Sequence, residues 1–320
     1  MSDKSSIEWT DASWNPLRGQ NARHTCARIS PGCDNCYAAT MTRRGLGGTA
    51  AIDYGRGETP NDPSRLDEKA LMQPHRWKEP RRIFVCSMTD IAGSWVQCEW
   101  FHAMWTVMAE TPRHTYQVLT KRPSRLKQLI EWFQEDAHGF GPYPLPNVWI
   151  GTSIESDAYT WRGNVLREIP AAARWISAEP LLGPLDSLDL AGIDWLVAGG
   201  ESGPGARPMH PDWARDLRDR CQASGTAFHF KQWGAWLPGQ NDPHPAQSWG
   251  IVHWQDGVWK PRQPKLPEAY VTWNADGEMR TGFRPPTPVA AFAIRVGKKA
   301  AGRLLDGRTW DDYPTVAARP

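Results

Sequence analysis

The sequence predicts an α/β protein built on a partial or complete parallel (β/α) barrel, and three observations carry that expectation. Short apolar or β-branched runs recur roughly 20 to 35 residues apart, each ending in a polar cluster. Segments with helical periodicity lie between several of them. Beyond residue 236 the composition turns proline-rich, which marks a C-terminal irregular or β-rich appendage. Strand, crossover helix, strand is the pattern of a parallel sheet with helices on its faces, and a doubly wound sheet is the other way to assemble the same units.

Taken in order, a first strand is expected near "SWNPLRG" (13–19). Six more follow, in "RIFVCSMTD" (82–90), "TYQVLTKRP" (115–123), "NVWIGTSIES" (147–156), "ARWISAEP" (173–180), "DWLVAGGES" (194–202) and "AFHFKQWG" (227–234). Helices are expected at 99–110, 124–136 and 210–225, the last with proline near its start and glycine at its end. The barrel, carrying the cysteine loop, spans 1–236. An appendage spans 237–290, with a hairpin at 270–283 turning about Asn274 to Gly277. The closing basic amphipathic segment spans 291–320, and its cations Lys298, Lys299, Arg303 and Arg308 read as a solvated helix face.

A chain of 320 residues with 40% hydrophobic residues can bury a full core. The opening "MSDKSSIEWTDASWN" lacks a basic region followed by an apolar run, and no stretch is long enough to span a membrane. The expectation is a cytoplasmic protein with no membrane partner. A net charge of +2 excludes a strongly basic nucleic-acid binder without excluding local phosphate contacts. Nineteen tryptophans against seven tyrosines and eight phenylalanines mostly fill core, with a few available to stack on a flat ligand.

Parallel α/β folds gather their functional groups at the carboxyl ends of the strands. Those ends here carry Ser87 and Asp90, Thr120, Lys121 and Arg122, Ser153 and Glu155, Ser177 and Glu179, Gly199, Gly200 and Glu201, then Lys231 and Gln232. If the runs share one sheet, these groups line one mouth. "GGESGPG" (199–205) lets backbone amides at Gly199 and Gly200 approach a carboxylate or phosphate, although it lacks the lysine and hydroxyl residue of a P-loop.

"CARISPGCDNCYA" (26–38) follows the first strand and holds three of the six cysteines. Cys26, Cys33 and Cys36, spaced C-x6-C-x2-C, suit a [4Fe–4S] cluster with one iron left open. Zinc is the rival, because His24 would complete a Cys3His site, and plain structural thiols are the third possibility. Cys86, Cys98 and Cys221 read as buried thiols.

The motifs "IEWTDASWNPLRG", "SPGCDNCYA", "FVCSMTD", "QVLTKRP", "NVWIGTSIES", "SAEPLLGPLD", "GGESGPGARPMHPDWARDLRDRC", "FKQWGAW" and "GKKAAGRLLDGRTWDDYP", in one order, resemble the phage Gp37/Gp68 family. That family's three-cysteine motif is similar to that of radical S-adenosylmethionine (SAM) enzymes, which use a partial α/β barrel and a three-cysteine loop after the first strand. The usual spacing there is C-x3-C-x2-C, so this chain has a wider first interval, and "QNARHT" (20–25), which carries His24, is a further departure. The resemblance implies a barrel of the radical-SAM type and a [4Fe–4S] cluster on Cys26, Cys33 and Cys36. It also implies SAM on the open iron, and a 5′-deoxyadenosyl radical made with an electron from a flavodoxin- or ferredoxin-type reductant. Ser87, Lys121, Glu155, Glu179 and Glu201 would then hold SAM, while Lys231 and Trp233 would meet the substrate, a nucleobase or nucleotide. Two further classes stay open: a zinc hydrolase or transferase with Glu179 or Glu201 as base, and a non-catalytic nucleic-acid binder with a structural zinc.

Overall fold

The structure, a computed structural model, describes residues 5, 7–21, 23–45, 51–135, 143–239, 252–255, 258–261, 270–273, 279–281 and 291–315. Seven strands form one sheet: β1 (Ala12–Trp14), β2 (Arg82–Val85), β3 (Thr115–Thr120), β4 (Val148–Ser153), β5 (Ala173–Ala178), β6 (Trp195–Gly199) and β7 (Ala227–Gln232). They pair in chain order and every pairing is parallel. β1 and β7 do not pair, so the sheet is an open half-barrel. Six lie within the runs read from the sequence; β1 (Ala12–Trp14) overlaps only the start of the expected 13–19, whose end, Leu17–Gly19, pairs instead with Ser64–Leu66. Of the two expected forms the partial barrel is the one observed.

The period of two along each strand divides the sheet into two faces. Ile83, Val85, Tyr116, Val118, Ile150, Ile176, Leu196, Phe228 and Phe230 belong to the larger core cluster, which also takes in residues of the crossover helices. These are α1 (Cys98–Glu110), α2 (Pro123–Glu135), α3 (Trp161–Glu168) and α4 (Pro211–Ser224). Helix α4 starts at a proline behind its His210 cap and ends on Gly225 at φ +74°, a left-handed conformation that glycine adopts without strain. No helix joins β5 to β6; residues 179–194 cross as a loop.

The intervening residues make the second cluster. Trp9, Phe84, Trp149, Trp175 and Trp195 fill the concave side, with Leu119, Ala227 and Tyr313 against them. Trp175 lies 5.2 Å from both Trp9 and Trp195, in tilted or edge-on contact. Gly151 is what admits this layer, because a Cβ there would stand 2.4 Å from the Trp175 indole. Four of the nineteen tryptophans thus fill the concave side, and others, such as Trp14, Trp105 and Trp310, lie in the larger core cluster.

The C-terminal segment returns to the barrel. Phe230 N–H donates to Trp310 O, Asp312 N–H to Phe228 O, and His229 bridges Asp311, so residues 310–312 cover the open edge of β7. Helix in 291–320 is confined, among the described residues, to Lys298–Ala301. Its cations have local partners: Lys298 meets Glu8 at 3.0 Å, Arg303 pairs with Asp311, and Arg308 stacks on Trp310.

The appendage is β-rich. Strands Trp236–Gly239, Ala291–Arg295, Tyr270–Trp273 and Met279–Thr281 form a four-stranded sheet, and Val252–Gln255 pairs with Val258–Pro261. The expected hairpin is present as antiparallel pairs Val271 with Thr281 and Trp273 with Met279; its turn lies outside the described residues. Trp236–Gly239 straddles the expected boundary at 236/237, and its partner strand Ala291–Arg295 lies beyond residue 290. The appendage sheet thus draws on all three expected segments.

Candidate functional site

Continuing the inward alternation past the tryptophan layer changes the chemistry within a few residues. β4 runs Trp149, Gly151, Ser153 and on to Glu155; β5 runs Trp175, Ser177 and on to Glu179; β3 leads through Leu119 to Lys121. Above this rim the loop of residues 26–36 lies across the mouth. Between loop and sheet is a cavity of about 130 Å³, lined by Cys26, Cys33, Cys36, Cys86, Ser87, Lys121, Arg122 and Ser153, with Phe84, Leu119, Met88 and Tyr54 as its apolar wall. Three strands and one loop thus bring together the three cysteines singled out in the sequence, with Ser87 and Lys121 beside them. Among the described residues no three Cys, His, Asp or Glu side chains stand close enough to hold a single metal ion.

The loop is held from two sides by buried carboxylates. Glu155, with no exposed surface, accepts the Gly32 N–H on Oε1 at 3.3 Å. Its Oε2 faces Arg162 at 3.0 Å and Lys121 at 3.3 Å. Glu201, 5% exposed, accepts from the Asn35 side chain at 2.9 Å and from the Arg207 backbone and guanidinium at 2.6–2.9 Å. Arg207 in turn donates to Pro31 O at 2.8 Å. Burial pushes both carboxyls upward, but Lys121 and Arg162 around Glu155, and Arg207 and Asn35 around Glu201, hold them below the usual carboxylate range. Both therefore stay ionised and bonded to the loop at neutral pH.

Cys26 is fixed separately. Residues Ala27–Arg28 pair with Gly55–Arg56, and Gly55 N–H donates to Cys26 O. Arg122 donates to Ala27 O and pairs with Asp90 at 3.0 Å, while Asp90 also accepts from Thr120 at 2.6 Å. Arg28 is paired with Asp53 at 2.6 Å. Each cation on the cavity wall thus has its own carboxylate. Burial pushes the Cys26 thiol up, with Asp90 and Cys36 adding to it and Arg122 opposing. Burial likewise raises Cys36, against the amides of Ala38 and Ala39 and the charge of Lys121. These thiols are protonated near pH 7, so loading a metal there must release protons.

Several expected site residues lie elsewhere. His24 accepts from Arg18 at 3.0 Å and does not line the cavity; burial and the Arg18 and Arg23 charges lower it to about 3. Glu179 and Lys231 pair through two contacts of 2.6 and 2.9 Å, off the thiol cavity. The Gly200 N–H is bonded to Gln232 O, and a Cβ at Gly200 would stand 2.1 Å from Trp233 O, so this glycine serves the approach of two backbones. Trp233 packs on Phe230 in the outer cluster and donates to Leu304 O at 2.8 Å. Cys86, read as a buried thiol, is buried but also lines the cavity, at φ +57° in the left-handed region. Asn35, Arg207 and Tyr54 were not singled out at all. The sole sequence signal for Arg207 is its place just after the glycine-rich "GGESGPG".

Fold and site together define an α/β half-barrel protein with a thiol-lined cavity beneath a loop tied to its strand ends. The chain belongs to the family described as "Protein of unknown function (DUF5131)", whose model matches residues 4–314. No curated protein matches the chain, and neither does any solved structure. No helix among the described residues is long and apolar enough to cross a membrane.

Proposed function

We propose that the protein is an iron–sulfur enzyme of the radical-SAM type, with a [4Fe–4S] cluster on Cys26, Cys33 and Cys36, acting on a nucleobase or nucleotide. The observation that carries this reading is the single cavity, at the carboxyl ends of a parallel half-barrel, faced by three thiols of one loop. The donor set fits the group. The three thiols that face the cavity match in number the ligands of a [4Fe–4S] cluster with one iron left open. The imidazole that would complete a zinc site is turned to Arg18.

When bound, a cluster on Cys26, Cys33 and Cys36 together with SAM would supply one-electron cleavage of a carbon–sulfur bond, with the electron coming from a flavodoxin- or ferredoxin-type protein. The chain's own residues ligate, orient and exclude water. Arg122 and Lys121 offset thiolate charge at Cys26 and Cys36. Phe84, Leu119 and Met88 keep the inner wall apolar. Arg28 and Arg122 line the wall beside the thiols, each already paired with a carboxylate, Asp53 and Asp90.

The test is anaerobic purification with iron and sulfide analysis, followed by assay for 5′-deoxyadenosine with a chemical reductant. Wild type and Cys221→Ala, a buried thiol remote from the cavity, should carry the cluster, and Cys33→Ala should not. Equal iron in wild type and Cys33→Ala would remove the reading.

A further inference from the structure

We propose that Asn35 and Arg207 are positioning residues for Cys33 and Cys36, acting through the buried carboxylate of Glu201; this rests on the cysteine-cluster reading above. The geometry is specific to the segment between the second and third thiols. Cys33 and Cys36 are separated by Asp34 and Asn35, and three contacts converge on that stretch. Asn35 Nδ2 donates to Glu201 at 2.9 Å and to Gly205 O at 2.8 Å. Arg207 spans the loop from Pro31 O, 2.8 Å from Nη2, to Asp34, 3.7 Å from Nη1, while its remaining N–H groups stay on Glu201. Gly32, on the near side of Cys33, is tied separately to Glu155.

A short loop with three ligands needs its backbone set before the ligands can act together, since each free rotation must otherwise be frozen on binding. Glu201 contributes no free oxygen for that task to be shared with a ligand: Oε1 is on Arg207, and Oε2 on Asn35 and Arg207. It is therefore the anchor for Asn35 and Arg207, which reach outward to the loop. Outer partners of this kind typically alter metal affinity by about 10- to 100-fold when removed.

Asn35→Ala is the cleanest variant, because it leaves the Glu201–Arg207 pair intact. Arg207→Lys keeps the charge beside Glu201 and loses the reach to Pro31 O. Gly32→Ala perturbs the other clamp, placing a Cβ 3.2 Å from Glu155 Cδ and Lys121 Nζ. The readouts are iron release to a chelator, the electron paramagnetic resonance spectrum of the reduced cluster, and alkylation rates of Cys33 and Cys36 in metal-free protein. Asn35→Ala and Arg207→Lys should release iron about tenfold faster and shift the spectrum, with the thermal midpoint of metal-free protein little changed. They should also raise alkylation at Cys33 and Cys36 more than at Cys26. Wild-type iron release and wild-type alkylation in both variants would overturn the proposal while leaving the cluster reading intact. Faster alkylation in a protein that takes up no iron even as wild type would sustain the positioning role and sink the cluster reading.

Discussion

The two ends of the half-barrel interior are built by opposite means from the same strands. At the amino ends Trp9, Trp149, Trp175 and Trp195 pack in edge-on or tilted contacts and are buried. A few residues along the same strands, the carboxyl ends carry ion pairs, each buried anion matched to named cations. The floor holds by apolar area and shape, which tolerate no gap. The mouth holds by matched charges, which contribute little net stability and fix geometry instead. The difference teaches why a loop of turn-forming residues can present three thiols in one place: it rests on a rigid floor and is tied at the rim.

The largest effect should come from the floor. Trp195→Ala removes contacts with Trp9, Trp149, Trp175 and Tyr313 and the bond to Asp312 O, and should cost about 5 kcal/mol in urea unfolding. A loss below that of a rim variant would break the comparison.

At the rim, Glu155→Ala leaves Arg162 and Lys121 buried without their carboxylate, and about 3 kcal/mol should be lost. The comparison is sharpened if hydrogen exchange then quickens at residues 30–36 and not in β4 to β6. Uniform quickening would mean that Glu155 supports the whole sheet.

Acid should separate the two ends at smaller cost. His24 behind the loop and His229 against Trp195 are held by burial at about 3 and about 4, against an ordinary 6.5. The unfolded chain takes up protons below 6.5 while the folded chain does not, so their contribution is full above 6.5 and is lost as pH falls. By pH 5 that is about 2 kcal/mol from each. Glu155 and Glu201 have folded values below the ordinary 4.5, so the clamps weaken only at lower pH, as it falls through those depressed values. Thermal midpoints from pH 7 to 5 should therefore drop while exchange in the loop stays slow. A loop that loosens first would contradict the assignment.

The sheet was legible because its signal is local and repeated: six short apolar or β-branched runs after a first strand near 13–19, helical segments between several of them, and no partner needed to recognise either. The cysteine loop was legible for the same reason, three thiols in one short stretch after the first strand. The roles of the strand-end groups were not. Glu155, Glu179 and Glu201 read alike as carboxylates just past a strand, yet one ties Gly32, one pairs with Lys231 and one anchors Asn35 and Arg207. Trp233, two positions past Lys231, lies beyond the end of β7, where the chain turns at Gly234 with φ +80°, and its indole goes to the outer core instead of the mouth.

By itself, then, the sequence determined the α/β class, the stretches that become the strands and the place of the thiols along the chain, since apolar runs and spacing are local; the order in which the strands pair is a tertiary result. The tertiary structure alone decided which charge meets which. Glu155 and Gly32 are 123 positions apart, and Glu201 and Asn35 are 166. A carboxylate's partner is set by distance in space and by what else is buried beside it, and neither quantity is written in the residues that flank it.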